Sequence, residues 1–329
     1  MSDLQWPGLG AETPKPSTAP ARGLTYDALH RAGKRGIWRP IIGVIVLGAA
    51  TYALIPLLAQ LVLAIWLGFA GRPIGANLER ILNLDEPTPI GLAVVNVILA
   101  SGIVTTWLVT RWLHGIKPGW VSSVQHGLRW RYFAVCLMLS LVALASALIV
   151  STIVAVVAGP SAAANTEAGL NEFTTTTRNY LLVILVLTPL QAAGEEYLFR
   201  GYLTQAFGGL FGPWAAVMIP AVLFAFAHGL GQSLPVFVDR LAFGVIAGVL
   251  VLRTGGLEAA IAMHVLNNWV AFGFTLAFGD MAATLTAPEG RWWDLASTLV
   301  QSLLYLGLAL MVARAMKLRV RTDPRVLAA

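Results

Sequence analysis

Long, uninterrupted blocks of apolar residues dominate this sequence and limit the folds open to it. Each block is about 20 or more residues long, which is the length that one helix needs to cross a bilayer. A helix closes its backbone hydrogen bonds within one segment, as hydrocarbon requires. Of 329 residues, 57% are hydrophobic and 12% are charged, and the charged fraction is about half that of a soluble domain. The sequence therefore predicts an all-α, polytopic transmembrane helical bundle.

Basic residues predict how this bundle is oriented. Assuming a cytoplasmic N-terminus and eight spans, 16 of the 22 Lys and Arg lie on the cytoplasmic side and four lie on the opposite side. This distribution follows the positive-inside rule and predicts a multi-pass protein of the inner (plasma) membrane with both termini in the cytoplasm. The first span is long enough to tilt or to break near Pro56. The eight spans are at about 41–69, 88–112, 132–158, 179–207, 214–232, 235–253, 257–278 and 294–316.

Composition also divides the chain into four regions. Residues 1–36 are polar, rich in Pro and Gly and without an apolar h-region, so we expect a disordered cytoplasmic tail rather than a cleaved signal peptide. Residues 37–178 hold the N-terminal transmembrane helices, 179–278 the helices of the candidate site, and 279–329 the last transmembrane helix and a basic tail. The net charge of +6 comes from residues that flank spans, so the expected partner is the lipid bilayer and not nucleic acid.

Ionisable residues inside spans are rare and usually functional, and here they lie in the second half of the chain. In the segment GEEYLFRG (194–201), Glu196 and Arg200 are four residues apart on one helical face, so they are predicted to form an ion pair. Glu195 is turned by about 100° from Glu196 and is not used by that pair. The pattern predicts one structural carboxylate and one free carboxylate.

Two further spans carry histidines. His264 and Asn268 share one helical face, whereas Asn267 lies about 60° to the other side. Glu195 and His228 are each roughly 20 Å from the turn that joins their helices, but His264 is only about 10 Å from its own turn. These three residues can therefore converge only if the fourth and fifth helices are extended or tilted.

Two prolines are placed to loosen the helices of this region. Pro189 and Pro220 each remove one backbone hydrogen bond and free the carbonyls of Leu185 and Ala216. Freed carbonyls are tolerated where they face protein or a wet cavity. A water-containing cavity near Glu195 is therefore predicted.

Each of these residues, taken singly, can also be explained by a structural role. A Glu–Arg pair can brace a bundle, a lone histidine can be a satisfied hydrogen-bonding residue, and paired asparagines can join helices. Asp239 and Arg240 lie near the outer end of the sixth span and are predicted to be interfacial. The remaining histidines are predicted to be solvated: His30, His114 and His126.

Taken in order, the motifs of this region resemble those of a known family. They are EExxxR (Glu195, Glu196, Arg200), FxxxH (Phe224, His228) and HxxxN (His264, Asn268). This ordered set is similar to the CPBP family, the CAAX protease and bacteriocin-processing intramembrane proteins. The bacterial members are often called Abi proteins, and the family includes the eukaryotic CAAX prenyl endopeptidase. The resemblance covers roughly residues 180–275 and rests on all three motifs.

The resemblance implies a glutamate-dependent intramembrane endopeptidase that cleaves a membrane protein or a lipidated peptide. It implies that Glu195 is the general base and that His228 helps to hold the attacking water. His264 and Asn268 would stabilise the oxyanion, which is worth most in a site of low dielectric. The supporting residues would be Glu196, Arg200 and Phe224.

Three alternatives remain open at this point. Glu195, His228 and His264 could instead hold zinc, although no HExxH motif is present and a metal-free site is favoured. A proton-coupled transporter would use the same residues as a relay, but the polar residues are confined to one half of the chain. The third alternative is a non-proteolytic immunity or scaffold protein.

Overall fold

Helices form nearly all of the regular structure of this chain. The computed structural model describes residues 23–83, 85–158, 169–285 and 290–323. Within those residues a 3₁₀ helix (Tyr26–Ala32) precedes eleven helical segments, and there is no β-strand, so the predicted all-α class is confirmed. The segments are α1 (Trp38–Phe69), α2 (Ile74–Leu82), α3 (Pro89–His114), α4 (Gly119–Ser122), α5 (Trp130–Ala158), α6 (Thr175–Phe211), α7 (Pro213–Ala227), α8 (Leu234–Thr254), α9 (Glu258–Phe278), α10 (Met281–Leu285) and α11 (Trp292–Ala315).

Seven of the described helices are long and apolar enough to cross a membrane: α1, α3, α5, α6, α8, α9 and α11. This finding confirms a multi-pass helical membrane protein, and it corrects one of the eight predicted spans. The span predicted at 214–232 ends at Ala227 as the 15-residue helix α7. That helix is about 22 Å long, less than the hydrocarbon thickness of about 30 Å.

The two ends of the described chain meet. Thr25 forms an antiparallel bridge with Arg321, and the Thr322 N–H donates to the Leu24 carbonyl at 2.9 Å. Both ends therefore lie on the same side of the bundle, as an even number of passages requires. Seven full passages would separate them, so the short helix α7 and the turn after it must reverse the direction of the chain between α6 and α8.

The region next to the N-terminal end is more ordered than the sequence predicts. The predicted disordered tail covers residues 1–36, of which 1–22 lie outside the described residues. The prediction is wrong for Tyr26–Ala32, which form a helix with five buried residues. Arg31 Nε donates to the Gly209 carbonyl at 3.1 Å, so this helix packs against the end of α6.

Two of the three histidines predicted to be solvated are buried there. The rings of His30 and His114 stack with their centroids 4.0 Å apart, and His114 Nε2 lies 2.8 Å from the Tyr202 hydroxyl. Burial and the neighbouring His114 hold the pKa of His30 well below its ordinary value, so His30 is neutral. The third histidine, His126, is exposed as predicted.

The loop between α3 and α5 packs against the helix ends and is not a solvated connection. The Leu257 N–H donates to the Ser122 carbonyl, and the Val124 N–H donates to the Gly255 carbonyl, both at 2.9 Å. Arg129, which is partly buried, forms an ion pair with the buried Glu258 at the start of α9. These bonds fix the ends of α8 and α9, the two helices that face α6 across the candidate site.

Candidate active site

Helix α6 changes its hydrogen-bonding pattern where the glutamates lie. A break at Leu187 is followed by an α-helical segment, Thr188–Glu196, and then by a π-helix, Tyr197–Leu203. The break lies two residues before Pro189, whose ring removes one backbone donor. π-Helical turns occur often at functional sites. Glu195 and Glu196 are therefore the last two residues before a widened turn.

Glu196 is fixed by two partners. Its Oε1 accepts from Arg200 Nη1 at 3.0 Å, so the ion pair predicted from their spacing is present. The same oxygen accepts from His264 Nδ1 at 2.8 Å, a contact that the sequence does not predict. All three side chains are buried, and Glu196 Oε2 and the Arg200 Nε and Nη2 atoms have no hydrogen-bond partner among the described residues.

Glu195 has a different environment. Its side chain lines a cavity, and its Oε2 atom is buried without a hydrogen-bond partner among the described residues. His264 Nε2 lies 3.4 Å from this oxygen. His264 thus stands between the two carboxylates, with Nδ1 towards Glu196 and Nε2 towards Glu195. Because Nδ1 donates to Glu196, Nε2 of the neutral ring is an acceptor and becomes a donor only when His264 is protonated.

His228 is held by the backbone of the helix that precedes it. Its Nδ1 lies 2.8 Å from the Phe224 carbonyl, which can only accept. The neutral ring therefore carries its proton on Nδ1 and leaves Nε2 as an acceptor. The Phe224 ring packs edge-on against His228, with centroids 4.6 Å apart, and lies 4.1 Å from the Arg200 guanidinium carbon. Phe224 therefore supports both the histidine and the buried cation.

The two asparagines of α9 have separate partners. Asn268 Nδ2 donates to Gln191 Oε1 at 3.0 Å, and Gln191 lies one helical turn before Glu195. Asn267 Oδ1 accepts from Gln301 of α11. Both asparagines line the cavity, but only Asn268 is tied to the helix that carries the glutamates. Sequence reasoning missed Gln191, although its spacing of four from Glu195 puts the two on one face.

A cavity of about 540 Å³ brings the three motifs together. It is lined by residues of α1, α3, α6, α8, α9, α10 and α11 and by α7 with His228. Glu195, His228 and His264 converge on this cavity despite the unequal depths expected for them, because α6 extends four residues beyond the predicted span at each end. The polar lining residues are Thr51, Tyr52, Asn96, Gln191, Glu195, His228, Asp239, Arg240, His264, Asn267, Asn268 and Thr298.

The structure also places three further residues that the sequence analysis singled out. Asp239 and Arg240 line the cavity, and their interfacial position stays a prediction. Their position inside a predicted span is the signal that could have identified them. The Ala216 carbonyl, which Pro220 frees, faces protein and accepts from the Thr204 hydroxyl at 3.1 Å.

The side chains of the candidate site are not arranged as a set of metal ligands. No three His, Cys, Asp or Glu side chains in the described ranges are placed to hold a metal ion together. Of the three residues that could form a zinc site, His264 already uses Nδ1 for Glu196, and His228 uses Nδ1 for the Phe224 carbonyl. Only their Nε2 atoms remain for a metal.

Comparison with known proteins identifies relatives of this segment. Residues 177–270 match a family model described as "Type II CAAX prenyl endopeptidase Rce1-like". The matched segment contains all three motifs, so the resemblance inferred from them is confirmed. At the level of the family, the match supports a CAAX-protease-type intramembrane endopeptidase.

Two curated relatives are similar to part of the chain. An uncharacterized protein YyaK of Bacillus subtilis (strain 168) is 28% identical over 141 residues, which are 40% of this chain and 47% of the relative. An uncharacterized 24.3 kDa protein of Escherichia coli is 34% identical over 86 residues, which are 26% of this chain and 38% of the relative. The chain thus spans less than half the length of each of these relatives.

Proposed function

We propose that this chain is an intramembrane endopeptidase in which Glu195 activates a water molecule to hydrolyse a peptide bond. The substrate is a membrane protein or a lipidated peptide, and the reaction needs no metal ion. The observation that carries this proposal is the contrast between the two adjacent glutamates. Glu196 is held by a cation and a histidine, whereas the side chain of Glu195 lines a cavity between membrane helices and accepts no hydrogen bond from the described residues.

The first step uses the two acceptors that face the cavity. Glu195 takes one proton from water while the water oxygen attacks the carbonyl carbon of the scissile bond. Nε2 of His228 accepts a hydrogen bond from the second water proton and so fixes the direction of attack. A general base of this kind commonly contributes about 10²–10⁴-fold to the rate.

Attack moves the carbonyl electrons onto oxygen, and donors must face the negative charge that develops. Asn268 has one amide N–H left after its bond to Gln191. His264 can add Nε2–H when it is protonated, while its Nδ1 stays bonded to the Glu196 carboxylate. The C–N bond then breaks, and the proton held by Glu195 passes to the leaving nitrogen. The second water proton stays on the new carboxyl group, so the products are a carboxylic acid and an amine, which become a carboxylate and an ammonium group when the proton passes from one to the other.

Substrate trapping tests this proposal. A photo-crosslinking amino acid at Leu92, which lines the cavity, would be combined with Glu195→Ala in membranes of the native host. The same label at Leu108, an exposed position on the same helix, is the matched control. We expect peptides or proteins to accumulate on the Leu92 position of the variant and to be depleted in the wild type, which turns them over. The same captured set in both backgrounds, or at both positions, contradicts the proposal.

Metal independence is a separate prediction. Because Glu195 is proposed to polarise water directly, the purified protein should contain less than stoichiometric zinc by elemental analysis. Activity should also survive treatment with phenanthroline. One zinc per chain, with activity lost on chelation and restored by zinc, would establish the metalloprotease alternative with Glu195, His228 and His264 as the ligands.

A further inference from the structure

Arg240 is a cation of the cavity that the proposed hydrolysis does not use. It is the seventh residue of α8, inside a membrane-spanning segment, and its side chain lines the same cavity as Glu195 and His228. It is near enough to both for electrostatic interaction. A charged side chain at such a position is costly and usually marks the path of a substrate or an ion.

The guanidinium is held in one orientation by a fixed amide. Arg240 Nη1 donates to Gln232 Oε1 at 2.8 Å. Gln232 in turn donates from Nε2 to the Ala225 carbonyl at 2.6 Å and to the Gly229 carbonyl at 2.9 Å. These two bonds fix the amide in the turn after α7, so its oxygen is presented to Arg240. The cation is therefore oriented by the protein before any ligand binds.

Arg240 lacks the carboxylate partner that two other arginines of the described bundle possess. Arg200 is paired with Glu196, and Arg129 is paired with Glu258. No described carboxylate lies within ion-pair distance of Arg240, and its neighbour Asp239 acts on it only at longer range. With Nη1 bound to Gln232, the edge formed by Nε and Nη2 remains. That edge has two parallel donors, which match the two oxygens of a carboxylate.

We propose that Arg240 binds a carboxylate of the peptide substrate and thereby determines which peptides are cleaved. The carboxylate is either the C-terminal group of the peptide or an acidic side chain, since both present the same pair of oxygens. The inference rests on the proposed function in one respect, namely that the occupant of the cavity is a peptide. The competing interpretation is that Arg240 only ties α8 to the turn that holds Gln232.

A binding experiment that needs no catalysis tests the site. Thermal unfolding of the full-length protein in detergent would be measured with N-acetyl-leucine and with N-acetyl-leucinamide, which differ in a C-terminal carboxylate. N-acetyl-glutamic acid α-amide and N-acetyl-glutamine α-amide form the pair for an acidic side chain. The variants are Arg240→Gln and, as the matched control, Arg253→Gln at the exposed end of the same helix.

We expect one acid, and not its amide, to raise the unfolding temperature of the wild type and of Arg253→Gln, because a ligand that binds the folded state stabilises it. A response to N-acetyl-leucine identifies a C-terminal carboxylate as the ligand, and a response to N-acetyl-glutamic acid α-amide identifies an acidic side chain. The shift should be absent in Arg240→Gln. Equal shifts for an acid and its amide, no shift with any probe, or a shift that Arg240→Gln retains would overturn the proposal.

A cleavage experiment separates this inference from the proposed function. Peptides of a defined library would be offered in pairs that differ only in a C-terminal carboxylate or carboxamide, or in Glu or Gln. We expect the wild type to prefer the carboxylate form by about tenfold or more in kcat/KM, mainly through KM, and Arg240→Gln to lose this preference. Cleavage by the wild type without any preference overturns the role of Arg240. If no peptide is cleaved but the carboxylate-dependent shift is present, the anion site stands and the proposed function fails.

Discussion

At the scale of single residues, His264 explains why two adjacent glutamates can differ in role. The sequence predicts only the ion pair between Glu196 and Arg200. The structure adds His264, which bonds to Glu196 through Nδ1 and faces Glu195 through Nε2. One ring therefore links the structural carboxylate to the proposed general base. Removing the Glu196 carboxylate should therefore have a different effect from removing the Glu195 carboxylate.

Neutralising Glu196 should unfold the site. Glu196→Gln leaves Arg200 without its counter-charge and weakens the bond to His264, and breaking a buried ion pair costs roughly 3–5 kcal/mol. We expect a lower yield of folded protein and a clearly lower unfolding temperature in detergent. Changing Arg200 to Met as well should restore part of the loss, because no buried cation is then left unpaired. A Glu196→Gln variant as stable as the wild type would show that this pair does not support the fold.

At the scale of helices, α6 and α3 cross at two glycines, Gly194 and Gly102, so no side chain separates their backbones there. This crossing places α6 beside the cavity. A Cβ atom on Gly194 would lie 2.1 Å from the Leu99 carbonyl oxygen of α3, and one on Gly102 would lie 2.8 Å from the Gly194 carbonyl oxygen. The backbones therefore touch directly before Glu195. Because the opposing atoms belong to the backbone, a larger residue can be accommodated only if the helices separate.

Gly194→Ala tests this crossing. Overpacking of this kind typically costs about 1–3 kcal/mol, and it should also displace Glu195. We expect a lower unfolding temperature together with a loss of activity. The matched control is Gly307→Ala in α11, where no described atom lies within 4 Å of the added Cβ. That change should be neutral or stabilising by up to about 1 kcal/mol, because Ala favours a helix more than Gly does. Equal effects of the two substitutions would contradict the crossing.

Hydropathy predicted the helices well and their contacts poorly, for a physical reason. Seven spans were placed within a few residues, because a bilayer requires apolar length and that length is visible locally. Pairs on one helix, such as Glu196 and Arg200, follow from spacing. The bond between His264 and Glu196 joins residues on different helices, and no local period encodes it. The packed loop at Ser122 and Val124 is held by backbone bonds, which leave no pattern in side-chain identity.

At the scale of the whole molecule, the two described ends lie on one side of the bundle. The pairing of Thr25 with Arg321 requires this, but it does not say which side is cytoplasmic. The distribution of Lys and Arg makes that assignment as a prediction. The proposed site then lies between helices of the second half, with the short helix α7 ending beside it.

Cysteine labelling tests the orientation. Single cysteines at positions 10, 165 and 325 would be placed in a Cys136→Ser background, which removes the only native cysteine. In intact cells an impermeant maleimide should label position 165 and leave positions 10 and 325 unlabelled until the membrane is opened. Labelling of position 10 or 325, with protection of position 165, would reverse the predicted topology.

The most direct test of the central claim is the cleavage rate of Glu195→Gln. The change preserves the shape of the side chain but removes its capacity to accept a proton, and it leaves no cation unpaired. The purified variant would be compared with the wild type in detergent, with the trapped substrate as the probe and the unfolding temperature as the measure of folding. We predict a folded variant whose rate falls by about 10²–10⁴-fold, as expected for the loss of a general base. A folded variant that cleaves the substrate at a rate near that of the wild type would contradict the assignment of Glu195.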